Sequence, residues 1–432
     1  MEEAARSVRR SAYSTAEIGL IRSSLATYRQ EHADANLTSE AAPLLAALEN
    51  VHTIPREVDP PVISAALEGL RRGPPPLERL NHAINVTPDG IELVLVGNPD
   101  LTNLSALAGL PLTRLNIAGC AVRDLSPLKG LPLRSMDASG CPLASLNGLE
   151  GAPLTVANFE GCPIESLEPL RGAPLTEINL CRTLVRSLAP LAGAPLKKLL
   201  ADDAEIESLD PLAGAPLEEL SARGNLRITS LTALAGLPLR RMNLADTAIE
   251  DLRPLAGLPL RELHLGGCLG VRDLSPLKDL SLRSLAIYGT RVNDLAPLAG
   301  LRLQRLEAGQ LPNLMDISPL QGQPLTHLWL NDTAVNDLTP LAESPLVQLD
   351  LRRTPVRDLT PLTLTPLEIL FLDGCPRLGN AQLLPVLEMK KLVTLTLPAP
   401  EVRPNFLRRH PTLQQIGFAP DHLQTMDQFF NP

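Results

Sequence analysis

Aromatic residues are scarce in this chain. Of its 432 residues one is Trp, three are Tyr and six are Phe, so aromatics make up 2% of a sequence that is 44% hydrophobic. Compact cores of this length normally use many large rings, because each ring buries a large area. Aliphatic side chains must fill the interior here. The 42 Pro and 28 Gly residues indicate turns at short intervals, which favours a repeat protein over two or three compact domains.

Long apolar runs and an excess of positive charge are also missing. No hydrophobic stretch approaches the roughly 18 residues that a membrane-spanning helix needs. Residues 1–4 lack the basic and then apolar layout of a secretory signal. The 39 Lys and Arg residues against 48 Asp and Glu give a net charge of -9, whereas nucleic-acid binding depends on basic patches. We therefore expect a cytoplasmic protein that neither inserts into membranes nor binds nucleic acid.

The sequence does contain a repeat of 21 or 22 residues. Its 14 units open at Asp89 and then, mostly with a Pro-Leu pair, at Pro111, Pro132, Pro153, Pro174, Pro195, Pro216, Pro238, Pro259, Ser281, Arg302, Pro324, Pro345 and Pro366. A period that returns so many times specifies one architecture for most of the chain, because each unit is one structural element that stacks on its neighbours.

Each unit has the internal spacing of a leucine-rich repeat. In one unit Leu112, Leu115, Ile117, Cys120 and Val122 match L-x-x-L-x-L-x-x-N/C-x-L. Apolar residues at alternate positions predict a short strand with one buried face. The following Asp-Leu-Ser-Pro-Leu segment suits a single 3₁₀ or helical turn, with Pro127 at an early helical position and Ser126 as its cap. We expect an α/β leucine-rich repeat solenoid that is stabilised by stacking of its units.

The residues before the repeats predict an N-terminal cap. An open solenoid end exposes apolar residues, which a capping segment must cover. We assign this role to residues 59–88, with a helix from Pro61 to Arg72 that the following Gly-Pro-Pro-Pro stops. Residues 1–58 form a predicted helical segment. Its role is open between a hairpin packed on the cap and a tether.

The period breaks again at the other end. The repeats span residues 89–390 and finish in a predicted helix from Asn380 to Lys390, and residues 391–432 form a C-terminal cap. A last strand is predicted from Leu392 to Leu397. Four of the six Phe residues follow the repeats, as expected if large rings seal the end of the solenoid: Phe406, Phe418, Phe429 and Phe430.

Five of the six cysteines occupy the same position of their units, just after the strand: Cys120, Cys141, Cys162, Cys268 and Cys375. Other units have Asn or Thr there. Small side chains of this kind satisfy backbone groups in the interior, so we predict a buried structural ladder. A disulfide or zinc site is the rival interpretation, but the sequence has no C-x-x-C pair and no third zinc ligand in place.

Leu125–Arg134 and Asp358–Leu362 resemble the leucine-rich repeat segments of some bacterial receptor-like serine/threonine protein kinases. The tail from Phe406 to Phe430 is similar to the ends of those proteins, and Ile21–His32 is more loosely similar to the segment before their repeats. The resemblance covers most of the chain and implies a sensor module.

The motifs of a kinase domain are absent from the sequence. It contains no His-Arg-Asp, no Asp-Phe-Gly and no G-x-G-x-x-G, so kinase activity cannot be assigned to any residue. Two interpretations stay open. The chain is a stand-alone relative of the sensor half, or it is a fragment of a longer chain separated from its kinase domain. No hydrolase or metal motif appears either, and we expect a non-catalytic chain without cofactor or metal.

The sequence favours a binding surface. Side chains between the buried strand positions project from the concave face, and in the later units they change from small and polar to aromatic and charged. Aromatic residues and Arg dominate interface energetics. We predict a site for a protein or peptide with Trp329 and Phe371 as anchors and with polar contacts from Tyr288, His327, Asp350, Arg352 and Arg353. We expect a monomer, since capped solenoids hide their ends.

Two other interpretations stay open. Trp329 and Phe371 could instead cover the sheet and pack against each other or against the C-terminal cap. Lys197 and Lys198 beside Asp202 and Asp203 are a second candidate surface, although such a group is more typical of a solvated charged rim.

Overall fold

The computed structural model describes residues 60–431. The helices and the linker that the sequence predicts within residues 1–58 lie outside the described residues. The chain divides into two compact units, Met1–Asn158 and Phe159–Pro432, which are treated separately below. Within residues 60–431 no helix combines the length and the apolar character needed to cross a membrane.

The described part of the first unit begins with helix α1 (Pro60–Arg72), which confirms the helix predicted here. Strand β1 (Ala83–Thr87) then pairs antiparallel with β2 (Gly90–Val94). Parallel pairing continues through β3 (Leu112–Asn116), β4 (Ser135–Asp137) and β5 (Val156–Asn158). Strand β1 belongs to no repeat unit, and the repeat pattern therefore does not predict it.

The second unit contains thirteen described strands of almost uniform length. They are β6 (Glu177–Asn179), β7 (Lys198–Leu200), β8 (Glu219–Ser221), β9 (Arg241–Asn243), β10 (Glu262–His264), β11 (Ser284–Ala286), β12 (Arg305–Glu307), β13 (His327–Trp329), β14 (Gln348–Asp350), β15 (Ile369–Phe371), β16 (Thr394–Thr396), β17 (Gln415–Gly417) and β18 (Leu423–Thr425). Successive strands pair in parallel from β6 to β17, and β18 turns back antiparallel. This is the leucine-rich repeat fold that the spacing predicts.

A 3₁₀ turn follows the strand in most of the 21- or 22-residue repeats. In the first of the two compact units these turns are Ser105–Leu107 and Ser126–Leu128. In the second they are Glu168–Leu170, Ala189–Leu191, Asp210–Leu212, Thr232–Leu234, Arg253–Leu255, Ser275–Leu277, Ala296–Leu298, Ser318–Leu320, Thr339–Leu341 and Thr360–Leu362. Pro occupies an early position in most of them, as predicted, because its fixed φ suits the start of such a turn.

The capping role predicted for Ser126 is wrong. The Ser126 side chain does not cap its turn; instead the Asp124 carboxylate accepts the Ser126 backbone N–H at 2.8 Å. Asp337 and Asp358 accept in the same way from residues two positions later, and the Ser187 hydroxyl does so in an earlier unit. Short Asp and Ser side chains favour this local bond, which fixes the start of each turn.

The predicted ladder of Cys and Thr side chains is confirmed. Cys268 Sγ donates to the Leu244 carbonyl at 3.0 Å, and Thr247 Oγ1 donates to the same oxygen at 2.7 Å. The same arrangement joins Cys375 and Thr354 to Leu351. Burial raises the pKa of the Cys268 and Cys375 thiols, which keeps them protonated donors. These bonds link one unit to the next in the interior.

The end of the second unit departs from the prediction in two places. Residues 380–390 do not form an α-helix; Ala381–Glu388 is a 3₁₀ helix with Pro385 inside it, because Pro lacks the N–H of an α-helical bond and its ring clashes with the preceding turn. The strand β16 is not the last, since β17 and β18 follow it. Helix α2 (Met426–Phe430) closes the chain.

Aromatic rings pack together at this end, as expected. The centroids of Phe418 and Phe429 are 5.3 Å apart and those of Phe429 and Phe430 are 5.1 Å apart. The Arg403 guanidinium lies 4.9 Å from the Phe429 ring centre. Phe429 is 4% exposed. These contacts form one aromatic cluster around Phe429 near the last described strands, β17 and β18.

A buried hydroxyl in one unit predicts a stabilising substitution. Ser344 Oγ is buried with no hydrogen-bond partner among the described residues, whereas Thr365, at the same position of the next unit, donates to the Leu362 carbonyl at 2.6 Å. An unpaired buried hydroxyl costs about 1–3 kcal/mol. We expect Ser344→Ala to raise stability by about 1 kcal/mol and Thr365→Ala to lower it by a similar amount, measured by urea unfolding. Equal effects of the two changes would contradict this explanation.

The aspartate-started turns predict acid sensitivity. Hydrogen bonds from Ser or Thr residues two positions later lower the pKa of Asp316, Asp337 and Asp358 below the ordinary value of 3.8. A carboxyl group whose pKa is lowered in the folded state stabilises the fold at every pH above its ordinary pKa. This stability is lost as the pH falls through the lowered pKa. Replacing all three with Ser, which fills this place in earlier units, should reduce the loss of stability on acidification. Thermal unfolding of the wild type and the triple variant at neutral and at acid pH measures this loss of stability. If both proteins lose the same stability on acidification, these three carboxylates are not the cause.

Candidate functional site

The predicted column of outward side chains is present in the second unit. Glu307 pairs in register with Trp329, Trp329 with Asp350, and Asp350 with Phe371. Neighbouring strands lie about 4.8 Å apart. Trp329, Asp350 and Phe371 therefore occupy equivalent places on three successive strands, β13 to β15.

Trp329 is held between two side chains and remains partly exposed. The Arg305 guanidinium lies 4.4 Å from the ring centre, and the His327 ring stacks at 6.0 Å with an interplanar angle of 16°. Thr326 Oγ1 lies 2.9 Å from His327 Nδ1, and Glu307 accepts a bond of 3.1 Å from Arg305. These contacts fix the ring over the sheet and cover part of it, so that Trp329 remains half-buried.

Asp350 is buried at 0% exposure and is bound by Arg352. Arg352 Nε donates to Oδ1 at 2.9 Å, Nη2 donates to Oδ2 at 2.7 Å, and the Arg352 backbone N–H donates to Oδ1 at 3.0 Å. The hydrogen bond to Asp350 raises the pKa of Arg352. Because the Asp350 carboxylate is inaccessible, its effect on any partner passes through the position of Arg352. The Arg352 guanidinium also lies 5.8 Å from the Phe371 ring centre.

Arg353 adopts a left-handed backbone conformation that costs a non-glycine residue about 1–2 kcal/mol. Its φ is 57°, and Gln310 and Asp332 have the same φ at the equivalent position of the two preceding units. Gly374 occupies the position in the next unit and gives the Arg353 side chain room, since a Cβ there would lie 2.6 Å from Arg353 Cγ. Arg353 Nη2 donates to Asp332 Oδ2 at 2.6 Å, and this bond lowers the pKa of Asp332. Because this left-handed position recurs from unit to unit, it belongs to the turn of the repeat, and the ion pair with Asp332 is what distinguishes Arg353.

Tyr288 makes its contacts away from Trp329. A Cβ at Gly266 would overlap the Tyr288 ring, which lies over the backbone of the preceding unit. Burial raises the pKa of the Tyr288 hydroxyl, with a further contribution from the charge of Asp246. The structure therefore places Tyr288 on the same surface but toward Arg223 and Asp246.

Sequence reasoning missed three members of this surface. Arg305 is the register neighbour of His327 on the adjacent strand, so its place could have been found from the repeat alignment. Asp332 follows from the same alignment as the neighbour of Arg353. The alignment also places Asp373, 21 residues after Arg352. It does not show that burial raises the pKa of Asp373, or that Thr396 Oγ1 donates to it at 2.8 Å across an irregular step of 23 residues.

The lysine and aspartate group suggested as a second candidate surface has partners inside the protein. Lys198 lies 3.4 Å from Glu219, and Asp202 accepts bonds of 2.6 Å from Ser221 Oγ and 2.9 Å from the Arg223 backbone. These contacts agree with a charged rim. Within residues 60–431 no group of three or more His, Cys, Asp or Glu side chains could hold a metal ion.

Comparison with known proteins identifies the fold. No protein-family model matches the chain, and no curated protein sequence matches it. An internalin (inlF) from Listeria monocytogenes is similar in structure, with a TM-score of 0.54 and 20% identity over 84% of this chain and 98% of its own. The likeness shows that this chain has a leucine-rich repeat fold.

Two further structures are more distant. The functional domain of InlJ from Listeria monocytogenes, which includes a cysteine ladder, has a TM-score of 0.47 and 16% identity over 70% of this chain and 72% of its own. The ectodomain of the Arabidopsis receptor kinase HAESA, solved with a peptide hormone ligand, has a TM-score of 0.46 and 15% identity over 77% of this chain and 71% of its own.

The contacts of Trp329 predict a fluorescence response. Trp329 is the one Trp of the chain, so its emission reports this surface alone. We expect Arg305→Ala to increase quenching by acrylamide and to lower stability by about 0.5–1 kcal/mol, the size of a cation–π contact near the surface. Arg291→Ala, which removes an exposed arginine from another loop, serves as the control. Identical quenching of both variants would show that Arg305 does not shield the ring.

Proposed function

We propose that this chain is a non-catalytic leucine-rich repeat module that binds a protein or peptide through the exposed sheet face of units 9–14. Trp329 and Phe371 act as anchors, and His327, Arg352, Arg353 and Tyr288 supply polar contacts around them. The observation that carries the proposal is the support of a partly exposed Trp329 between Arg305 and His327.

Pre-organisation explains why this arrangement suits binding. A side chain that is already fixed loses little conformational freedom when a partner docks, so more of the contact energy appears as affinity. Arg305 and His327 fix Trp329, while the buried Asp350 fixes Arg352 beside Phe371. Trp329 and Phe371 are therefore held about 10 Å apart, which is two strand intervals, in the protein without a partner.

The separation of the two rings is relevant to the alternative that Trp329 and Phe371 only pack against each other. The Trp329 ring contacts His327 and Arg305, and the Phe371 ring contacts Arg352. The strand of Asp350 lies between the two anchors. Polar side chains hold both rings, which favours recognition over packing of the rings against each other.

Photo-crosslinking capture from a lysate of the source cells tests the proposal, with quantitative mass spectrometry as the readout. The baits are the wild type, Trp329→Ala/Phe371→Ala and the control Leu226→Ala/Leu364→Ala. The control removes two apolar side chains that are 73% and 90% exposed elsewhere. Arg352 is left unchanged, because removing it would leave the buried Asp350 unpaired at a cost of about 3–5 kcal/mol.

We expect the wild type and the control to enrich the same partner, and the anchor variant to lose it by at least about tenfold, as truncation of an interface anchor costs about 2 kcal/mol or more. Circular dichroism establishes that all three baits are folded. A partner retained in full by the anchor variant would place the binding surface elsewhere on the chain.

The second candidate function is the sensor portion of a serine/threonine protein kinase, of bacterial origin, separated from its kinase domain. The resemblance of Leu125–Arg134 and of the tail after Phe406 supports it. Reading the gene upstream of Met1 tests it: kinase motifs in the same open frame would support the sensor role, and their absence would leave the stand-alone module. The cap assignments of residues 59–88 and 391–432, the monomeric state and the cytoplasmic location remain predictions.

A further inference from the structure

Four arginines line the edge of the sheet at which strands β9 to β12 begin. Arg240, Arg261 and Arg283 each directly precede a strand. Their backbones are in register, since Arg261 N–H donates to the Arg240 carbonyl at 2.9 Å and Arg283 N–H to the Arg261 carbonyl at 2.8 Å. Arg302 opens the next unit, at a position where most units have Pro. All four side chains are exposed. These four residues are called the arginine row below.

The arginine row has one acidic neighbour in its own column, Glu218, whose backbone carbonyl accepts the Arg240 N–H at 2.9 Å. Within residues 60–431 none of its four guanidinium groups forms an ion pair, although the nearby Arg241 and Arg305 pair with Glu219 and Glu307. Like charges directly opposite one another on neighbouring strands destabilise a sheet. Repulsion among the exposed guanidinium groups of Arg240, Arg261 and Arg283 is screened by solvent and small, and an anionic ligand would reduce it further.

A cleft at one end of the row is lined by groups that bind carboxylates. It has a volume of about 520 Å³. Arg283 and Arg302 contribute guanidinium groups, and Gln304 and Gln321 contribute amides, which are all hydrogen-bond donors. Arginine is well suited to a carboxylate because its planar fork can donate two parallel hydrogen bonds. Arg305, beside Trp329, follows Gln304 directly in the sequence, so the cleft lies next to the anchor surface.

We infer that the arginine row and its cleft bind an acidic segment of the same polypeptide partner that docks on Trp329 and Phe371. This inference rests on the proposed function, which it extends by giving the chemistry of the partner. The row spans about three strand intervals, or roughly 14 Å, which matches a few consecutive residues of an extended peptide. Glu262 follows Arg261 directly, and Glu307 lies in the column of Trp329. Together with the net charge of -9, these carboxylates oppose a long anionic chain such as a phosphate backbone and favour a short acidic segment.

Fluorescence anisotropy tests the inference with a fluorescein-labelled oligoglutamate peptide as the probe, at low and at physiological salt. The proteins are the wild type, Arg261→Gln/Arg283→Gln and the control Arg272→Gln/Arg357→Gln, which removes the same charge from exposed arginines in other turns. Gln is a conservative choice, because Gln304 already occupies the equivalent position in the next unit. An oligolysine peptide and an oligothymidylate of equal length are the comparison probes.

We expect the wild type and the control to bind oligoglutamate, and the row variant to bind it roughly tenfold more weakly, at about 0.7 kcal/mol for each lost charge contact. The affinity should fall with added salt. No binding at low salt, equal binding by the row variant, or tighter binding of oligothymidylate than of oligoglutamate would each overturn the inference.

The anchor variant Trp329→Ala/Phe371→Ala separates this inference from the proposed function. It should bind oligoglutamate like the wild type, because the arginine row is intact. If the lysate partner depends on the anchors while oligoglutamate fails to bind the wild type, the binding function stands and the acidic segment is wrong. If oligoglutamate binds through the row but no partner depends on the anchors, the proposed function fails instead.

Discussion

The structure depends on one constraint: a strand of three residues cannot bury its own apolar face. Each short strand places one leucine or similar residue inward, and that side chain is buried by the other apolar residues of its own unit and by the units on either side. The Cys and Thr ladder adds a polar counterpart, since the thiols of Cys120, Cys141, Cys268 and Cys375 each donate to a carbonyl of the preceding unit. Stability is therefore a property of neighbours, and the outward positions are left free to vary in chemistry.

The period makes most of this fold predictable from the sequence. Spacing determines which residues are buried, where the 3₁₀ turns lie and which side chains share a column. It fails where the repeat ends. Strand β1 and the 3₁₀ helix Ala381–Glu388 depend on local features, in the latter case on Pro385. The start of each turn was also misassigned, because the residue that accepts the backbone N–H precedes the turn by two positions, as Asp124 does.

The candidate surface is predictable in its placement and not in its contacts. Register alone puts Trp329, Asp350 and Phe371 on consecutive strands. The sequence does not show that Asp350 is buried under Arg352, or that the Tyr288 ring turns toward the preceding unit and lies over Gly266. These outcomes depend on which side-chain torsion each residue adopts beside its neighbours. A column listed from a repeat alignment therefore identifies candidates, while side-chain packing decides which of them a partner can reach.

The uniform register of successive strands in the second compact unit also fixes the spacing between outward side chains of one column. From β6 to β15 each unit pairs with the next in the same way, so the distance between two outward groups in one column is a whole number of strand intervals of about 4.8 Å. Duplication of one unit between the arginine row and Phe371 would keep these side chains and increase their separation by one interval. Evolution of such a chain can thus alter the length of a recognised motif independently of its composition.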